Sequence, residues 1–299
     1  MSGIKANLPQ HNRRKGLAMA VLAVLMFSSS AVLVRLSAPI DPLTVTFARL
    51  FLGSIIVMLM SRVFTGGFTP PSRQEIPRFL LIGLCAAAHF VLYIVSLSYT
   101  SIAHNLSLIY TAPIWVTIFS RMFLKEPFPA RKWPAILLTV TGIAIMAGFD
   151  PQMDREMLFG DILALGSGIT LALYSIAGRS TLKSVPVLTY AATIYGLAAI
   201  FTAIPGIAAF DLDAVNWSNL AAVVGAAFLS LGFGHTLFNA SLSLLHPTIV
   251  NVVATQEVTA GVIMGAIVLS EIPPASTIAG AVIALIGVIW TLTVKSSEK

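Results

Sequence analysis

The sequence predicts an all-α polytopic membrane protein of ten transmembrane helices, arranged as an inverted repeat of five helices each. Three observations lead to this prediction. Of the 299 residues, 57% are hydrophobic and only 10% are charged, whereas soluble domains carry roughly 25% charged residues. The apolar residues fall into ten blocks, each close to the roughly 20 residues that a helix needs to cross a bilayer. The two halves of the chain also repeat each other at a nearly constant spacing.

Clusters of turn-forming and charged residues separate the ten apolar blocks, for example Pro39-Ile40-Asp41-Pro42 and Thr69-Pro70-Pro71-Ser72. The first block follows Arg13-Arg14-Lys15 and is longer than the apolar region of a secretory signal, so we interpret it as a retained span. The predicted spans are residues 16–35, 42–63, 76–98, 101–123, 132–149, 159–180, 186–209, 217–241, 247–269 and 275–294.

Six residue pairs recur at a spacing of 144 or 145 positions. Gly16, Arg35 and Pro42 recur as Gly160, Arg179 and Pro186, and Glu126, Pro129 and Gly142 recur as Glu271, Pro274 and Gly287. Each half holds five spans, and an odd number inverts the second half relative to the first. Inverted repeats are typical of secondary transporters, which bind substrate near the midplane between the repeats. We therefore predict tails at 1–15 and 295–299 and repeats at 16–149 and 159–294.

The basic residues lie between the apolar blocks and are distributed unequally between the two sides. With a cytoplasmic N-terminus, fifteen Lys and Arg residues lie inside and two, Arg35 and Arg155, lie outside. This bias predicts a plasma membrane protein of the bacterial inner-membrane type with both termini in the cytoplasm. The net charge is +6, but the basic residues lie between the apolar blocks and form no continuous basic surface on a folded domain. We therefore expect no nucleic-acid partner. The expected partners are the lipid bilayer and a small-molecule substrate, and the oligomeric state is left open.

Motifs for nucleotide or metal chemistry are absent from the sequence. It contains no Walker A, dinucleotide-binding or His-Glu-x-x-His pattern. The single Cys85 lies inside an apolar block and permits neither an intramolecular disulfide nor a cysteine metal site. We expect no cofactor, no metal and no catalytic residue. The alternative is an intramembrane enzyme that uses His104-Asn105 or His235, although no acidic partner lies at a suitable spacing in the sequence.

Two related motifs close the two halves. The first half contains Tyr110-Thr111-Ala112-Pro113, Leu124-Lys125-Glu126-Pro127 and Gly142, and the second contains Gln256-Glu257-Val258, Leu269-Ser270-Glu271-Ile272, Gly280 and Gly287. This pattern resembles the EamA repeat of the drug/metabolite transporter superfamily, in which a Leu-x-Glu turn precedes a glycine-bearing last helix. The Ser98-Tyr99-Thr100-Ser101 junction is also similar, and the resemblance extends to the aromatic amino-acid exporter branch. It implies a ten-helix exporter and assigns Glu126 and Glu271 to a structural turn.

Two charged residues lie deep within predicted spans. Glu257 lies about ten residues into the ninth span, roughly 15 Å deep, beside Gln256. A carboxyl at that depth is costly and usually faces a cavity or a partner, so we interpret it as a substrate or proton site, or else as an interhelical hydrogen-bond partner. Arg49 either binds a carboxylate or extends to the headgroups. If Arg49 and Glu257 face one cavity, they offer opposite charges to a zwitterion.

Histidine and tyrosine side chains form polar stripes on corresponding helices. His89 and Tyr93 lie four residues apart and therefore on one helix face, and His235 and Asn239 repeat this spacing. The stripes predict either a lined cavity or interhelical hydrogen bonds. Ser30 and Tyr174, at a spacing of 144, are assigned to the same cavity.

The fourth predicted span contains Tyr110, Pro113 and Trp115. Pro113 is expected to kink the helix. Tyr110 and Trp115 are placed in the site as rings that stack on an aromatic or cationic solute, with core packing as the alternative. The resulting hypothesis is an exporter of small amphipathic metabolites, amino acids above all and particularly aromatic and other apolar ones, working by alternating access. The alternatives are a broad drug exporter or a lipid flippase of the same fold.

Overall fold

The computed structural model describes residues 10–148, 154–268, 270 and 275–294, and these residues form helices and connections without a strand. We number ten helices in chain order: α1 (Asn12–Leu36), α2 (Pro42–Phe64), α3 (Ile76–Ser96), α4 (Ile102–Leu124), α5 (Trp133–Ala147), α6 (Arg155–Thr181), α7 (Val187–Ala208), α8 (Trp217–Leu244), α9 (Pro247–Val268) and α10 (Ala275–Thr293). Among the described residues, nine of these helices are long and apolar enough to cross a membrane. The exception is α5, which has 15 residues.

Side-chain caps begin several helices inside the turn clusters that separate the apolar blocks. The Asp41 carboxylate accepts a hydrogen bond from the Leu43 amide at 2.8 Å at the start of α2. The Ser101 hydroxyl does the same for His104 in α4 at 3.1 Å. Asp154 caps α6 through the amide of Met157. Such caps satisfy N–H groups that have no partner within the helix.

Three helices are interrupted near their middle. In α1 the hydroxyls of Ser28 and Ser29 donate to carbonyls three residues earlier, both at 2.8 Å, and the α-helix stops between Phe27 and Ser30. Helix α4 breaks at Tyr110 and Thr111, just ahead of Pro113, which has no N–H to continue the ladder. Helix α9 breaks at Thr255, 145 residues after Tyr110.

The helix α8 is continuous but changes its winding. A π-helical segment, Ala226–His235, lies between two α-helical parts. Such segments inside α-helices are frequent at functional sites. This segment positions Ser230 and His235, which are described below.

The Leu-x-Glu turn has the same backbone conformation in both halves. Lys125 has φ 54° and Ser270 has φ 58°, and these are the non-glycine residues with positive φ in the described ranges. They lie 145 positions apart and both occupy the x position of the motif. A left-handed residue ends a helix sharply, so this turn terminates α4. Glu271, the acidic residue of the second turn, lies outside the described residues.

Helix packing is symmetric under exchange of the two halves. Helix α2 packs on α7, and α5 packs on α10. The contacts of α3 with α6 and α7 recur as contacts of α8 with α1 and α2. Between α5 and α10 the backbones touch, because a Cβ on Gly142, Gly280 or Gly287 would overlap the opposite helix.

The helices alternate in direction, which gives the bundle two distinct ends. The Lys132 ammonium, at the start of α5, donates to the Thr291 carbonyl at the end of α10 at 2.9 Å. Likewise, the Ser241 hydroxyl near the end of α8 donates to the Gly16 carbonyl near the start of α1 at 2.9 Å. We call this end, where α1 begins, the N-terminal end, and the other the opposite end.

Candidate functional site

A small cavity lies at the centre of the bundle, where the interrupted helices meet. The space open to the centre of a water molecule is about 20 Å³, enough for about one or two water molecules. Six of the eleven site residues expected from the sequence line it: Ser30, His89, Tyr93, Tyr110, His235 and Glu257. The other lining residues are Phe27, Leu106, Ile109, Leu171, Ser230 and Phe238.

The two broken helices α4 and α9 bring their polar residues together at this cavity. Tyr110 lies at the break of α4, and Glu257 lies two residues after the break of α9. The Tyr110 hydroxyl donates a hydrogen bond to Glu257 Oε2. Glu257 is 6% exposed, so this hydrogen bond partly compensates the loss of water around the carboxyl group. Glu257 is therefore an acidic group held at the cavity wall.

Two histidines from corresponding helices meet across the cavity. The ring centroids of His89 in α3 and His235 in α8 are 6.2 Å apart, edge to face. The Ser167 hydroxyl of α6 lies 2.8 Å from His89 Nδ1 and fixes that ring. The rings of Phe27 and Phe90 pack on His235, with centroids at 4.5 and 4.8 Å. The spacing of 146 residues between the histidines thus corresponds to a real pairing in space.

Two tyrosine hydrogen bonds are related by the repeat. Tyr93 donates to the Ser30 hydroxyl at 3.1 Å in the first half. Tyr174 donates to Asn239 Oδ1 at 2.8 Å in the second half. Asn239 in turn donates to the Tyr195 hydroxyl at 3.3 Å. The first pair lines the cavity, whereas Tyr174 and Asn239 are absent from its wall and lie beside it, toward the N-terminal end.

Three further expected site residues are also absent from the cavity wall. Arg49 is 1% exposed, so its guanidinium is buried in the bundle and does not extend to the headgroups. The Trp115 indole donates to the Thr111 hydroxyl at 3.3 Å and packs on Phe119. The Gln256 amide donates to the Thr255 hydroxyl at 3.4 Å.

Several lining residues had no distinctive sequence signal. Leu106, Ile109, Leu171 and Phe238 resemble any apolar helix residue, and nothing in the one-dimensional pattern separates cavity from core. Ser230 lies in a stretch of small and apolar residues that gives no signal in the sequence. The π-helical segment Ala226–His235 positions it at the cavity wall. Phe27 had a usable signal, because it directly precedes the Ser28-Ser29-Ser30 run that breaks α1.

Polar contacts join the two halves at both ends of the bundle. At the N-terminal end, Lys183 donates to Glu126 at 2.9 Å, and Arg179 lies 3.6 Å from the same carboxylate. At the opposite end, the Thr100 hydroxyl donates to Asp161 at 2.8 Å, and His104 Nδ1 lies 3.3 Å from the other oxygen of Asp161. We call these the N-terminal cluster and the opposite cluster. The cavity lies between them.

Comparison with known proteins identifies the fold and the family. The model of the EamA-like transporter family matches twice, over residues 14–148 and 158–293. The chain belongs to the EamA-like transporter family. The chain is 28% identical to the pseudopaline exporter CntI of Pseudomonas aeruginosa, covering 92% of this chain and 95% of that one. It is 26% identical to the threonine/homoserine exporter RhtA of Salmonella typhimurium, covering 76% and 74%.

The fold of this EamA-like chain also matches a solved crystal structure. The TM-score is 0.78 at 15% identity, and the match covers 94% of this chain and 96% of the other. At that identity the likeness concerns the fold. Family and spans together make this EamA-like protein an integral multi-pass membrane transporter, a class that does not comprise enzymes in the usual sense. Within the described residues, no group of three His, Cys, Asp or Glu side chains is arranged to hold a metal ion.

Proposed function

We propose that this chain is a secondary transporter that exports small amphipathic metabolites, foremost amino acids, by alternating access through the central cavity. One observation carries the proposal. Helices α4 and α9 correspond in the two halves, both break at the cavity, and there Tyr110 meets Glu257. Discontinuous helices at the repeat interface are a recurrent way to build a midplane substrate site.

The ten helices of the two matched repeats support this mechanism, and nine of them are long and apolar enough, within the described residues, to cross a membrane. The N-terminal end carries most of the Lys and Arg residues, and this bias favours a cytoplasmic location for that end and for both termini. The short α5 packs along α10, the last helix of the second half. The two halves then present equivalent helices to the cavity from opposite sides of the membrane.

The cavity dimensions support a mechanism with opening steps. A volume of about 20 Å³ is too small for an amino acid, and polar contacts join the halves at both ends. Substrate entry therefore requires the N-terminal cluster to separate, and release requires the opposite cluster to separate. Alternating access requires that the interface between the two halves can pack in two different arrangements, one open at each end.

The nature of the cavity wall favours amino acids with an apolar side chain as cargo. Phe27, Phe238 and the histidine rings offer apolar and aromatic surface, and Glu257 offers a partner for an ammonium group. The names of the relatives CntI and RhtA describe exporters, one of them for threonine and homoserine. A broad drug exporter and a lipid flippase are the competing functions.

Counterflow in proteoliposomes tests the proposal. Purified protein is reconstituted with unlabelled solute inside, and entry of labelled phenylalanine is followed with amino acids, sugar nucleotides or a lipophilic drug as the internal solute. We expect internal phenylalanine and other large apolar amino acids to accelerate uptake at least about tenfold over empty liposomes. Folded protein that exchanges no amino acid would contradict the proposal, and a solute recovered with a changed mass would indicate an enzyme.

A further inference from the structure

Arg49 in α2 is a buried cation without sufficient partners. Its Nη2 donates to the Ser230 hydroxyl at 3.0 Å. Its Nε and Nη1 have no hydrogen-bond partner among the described residues. A buried charge with unpaired donors is strongly unfavourable unless another group neutralises the charge and accepts the free hydrogen bonds. The guanidinium therefore has vacant hydrogen-bonding capacity in the middle of the bundle.

The unpaired guanidinium lies directly behind the cavity wall. Its partner Ser230 lines the cavity. The guanidinium carbon lies 5.6 Å from the ring centroid of Phe90, and that ring packs on both His89 and His235. The guanidinium is therefore separated from the cavity by a single hydrogen-bonded side chain of its wall, Ser230.

A group of opposite charge lies across the same cavity. Glu257 is held by Tyr110 and lines the same cavity as Ser230, the hydrogen-bond partner of Arg49. Even so, no ion pair joins Arg49 to Glu257 in the described part of the chain. An acidic group thus lies in the cavity wall and a cation lies directly behind that wall, and the two form no ion pair with each other.

We propose that Arg49 binds the carboxylate of the substrate while Glu257 and Tyr110 bind its ammonium group, so that the transporter selects zwitterions. This inference rests on the proposed function and specifies its substrate class. A guanidinium binds a carboxylate through two parallel N–H donors, one on Nη2 and the other on Nε or Nη1. In Arg49 both Nε and Nη1 are vacant, and Nη2 has a second N–H besides the one that donates to Ser230. One zwitterion pairs with both groups at once, its carboxylate with Arg49 and its ammonium group with Glu257. Its side chain then lies among the aromatic rings.

Three probes that differ only in their charged groups separate the two subsites: phenylalanine, phenethylamine, which lacks the carboxylate, and 3-phenylpropanoate, which lacks the amine. Binding is measured by ligand-dependent thermal stabilisation of the full-length protein in detergent and by competition with phenylalanine counterflow. The variants are Arg49→Gln and Glu257→Gln. Arg62→Gln is the matched control, because Arg62 lies on the same helix α2 and is exposed.

We expect a crossed pattern. Arg49→Gln weakens phenylalanine and 3-phenylpropanoate at least about tenfold and leaves phenethylamine within about twofold. Glu257→Gln weakens phenylalanine and phenethylamine and spares 3-phenylpropanoate. Arg62→Gln changes none of the three.

Equal loss of all three probes in folded Arg49→Gln protein would overturn the inference, as would unchanged binding of phenylalanine. Arg49→Lys provides a second test that keeps the charge and loses the paired donors. It must weaken phenylalanine and 3-phenylpropanoate more than phenethylamine. If the wild-type protein exchanges no amino acid at all, the proposed function fails. Exchange that is insensitive to Arg49 refutes only the carboxylate subsite.

Discussion

Glu126 connects three elements at the N-terminal end. Its carboxylate contacts Lys183 and Arg179, and its backbone carbonyl lies 3.2 Å from His246 Nε2. Burial raises the pKa of Glu126, but the Lys183 hydrogen bond and the charges of Arg179, Lys183 and His246 outweigh it, so the pKa lies below the ordinary 4.5. Burial lowers the pKa of His246 below its ordinary 6.5, with Arg179 and Lys132 acting in the same direction.

These shifts give the N-terminal cluster a defined pH dependence. An opened cluster takes up a proton on His246 near its ordinary pKa, whereas the closed one keeps the imidazole neutral. The closed cluster is therefore most stable above about pH 6.5 and weakens as the pH falls. It weakens further once Glu126 itself protonates in acid, because the closed form favours the charged carboxylate.

We predict that the thermal unfolding midpoint in detergent falls between pH 8 and pH 5 and that His246→Gln reduces this slope. Glu126→Gln should lower the free energy of unfolding at pH 7 by about 1 kcal/mol, since the pair is partly exposed. Glu156→Gln, an exposed change at the opposite end, serves as the control. An unchanged slope in His246→Gln would contradict this account.

At the scale of single helices, a glycine in α6 packs against the break of α4. Pro113 cannot donate to the carbonyl four residues earlier, which belongs to Ile109. Gly168 packs against that carbonyl, and a Cβ on Gly168 would lie 2.6 Å from the Ile109 oxygen. The absence of a side chain at Gly168 therefore allows α6 to approach the broken segment that carries Tyr110.

We predict that Gly168→Ala destabilises the protein by about 1–3 kcal/mol, because backbone atoms must shift to accept the methyl group, and that it impairs counterflow. Gly166→Ala is the matched control two residues away on the same helix. Its Cβ would lie 3.3 Å from the Leu92 Cδ1 atom, a side chain that can adjust. Thermal unfolding of both variants measures the difference, and equal tolerance of the two would refute the role of Gly168.

At the scale of the whole molecule, the two halves are joined by polar contacts at each end. The N-terminal cluster links Glu126 of the first half with Lys183 of the second. The opposite cluster links Thr100 with Asp161. Alternating access requires each cluster to open in turn, so a covalent link at either end should stop transport.

We predict that cysteine pairs at Thr100/Asp161 or at Glu126/Lys183, bridged by a short bis-methanethiosulfonate reagent that forms a disulfide with each cysteine, lower counterflow at least about tenfold. Reduction of the two disulfides should restore counterflow. Cys85 is the single native cysteine, so Cys85→Ser supplies the background. The four single-cysteine variants, treated identically, are the controls. Full transport by protein with a verified cross-link at either end would rule out the two-gate mechanism.

The repeat spacing indicated residues that occupy equivalent positions in the two halves. His89 and His235 meet across the cavity, and Ser30 and Tyr174 make equivalent hydrogen bonds in the two halves. A constant spacing becomes a symmetry in space because a repeated sequence folds into repeated structure. The assignment of Tyr174 to the same cavity as Ser30 does not follow from it, since Tyr174 is absent from the cavity wall. The resemblance to the EamA repeat was confirmed by the family match.

The repeat spacing could not predict which side chains on each helix line the central cavity. Trp115 and Gln256 are close in sequence to Tyr110 and Glu257, yet neither lines the cavity. The partner of Arg49 is Ser230, 181 residues away on a π-helical segment. A one-residue change of helix winding rotates every later side chain, and the sequence carries no strong signal for it.

Apolar blocks of spanning length, their repetition and the unequal distribution of basic residues are sufficient to predict a multi-pass, two-repeat membrane protein from the sequence alone. These properties are local or periodic, and the bilayer allows few solutions for them. Only the tertiary structure decided that Tyr110 binds Glu257, that Arg49 is buried with two vacant donors, and that the cavity is nearly closed. Those outcomes depend on helix breaks and helix rotation, which packing between distant segments determines.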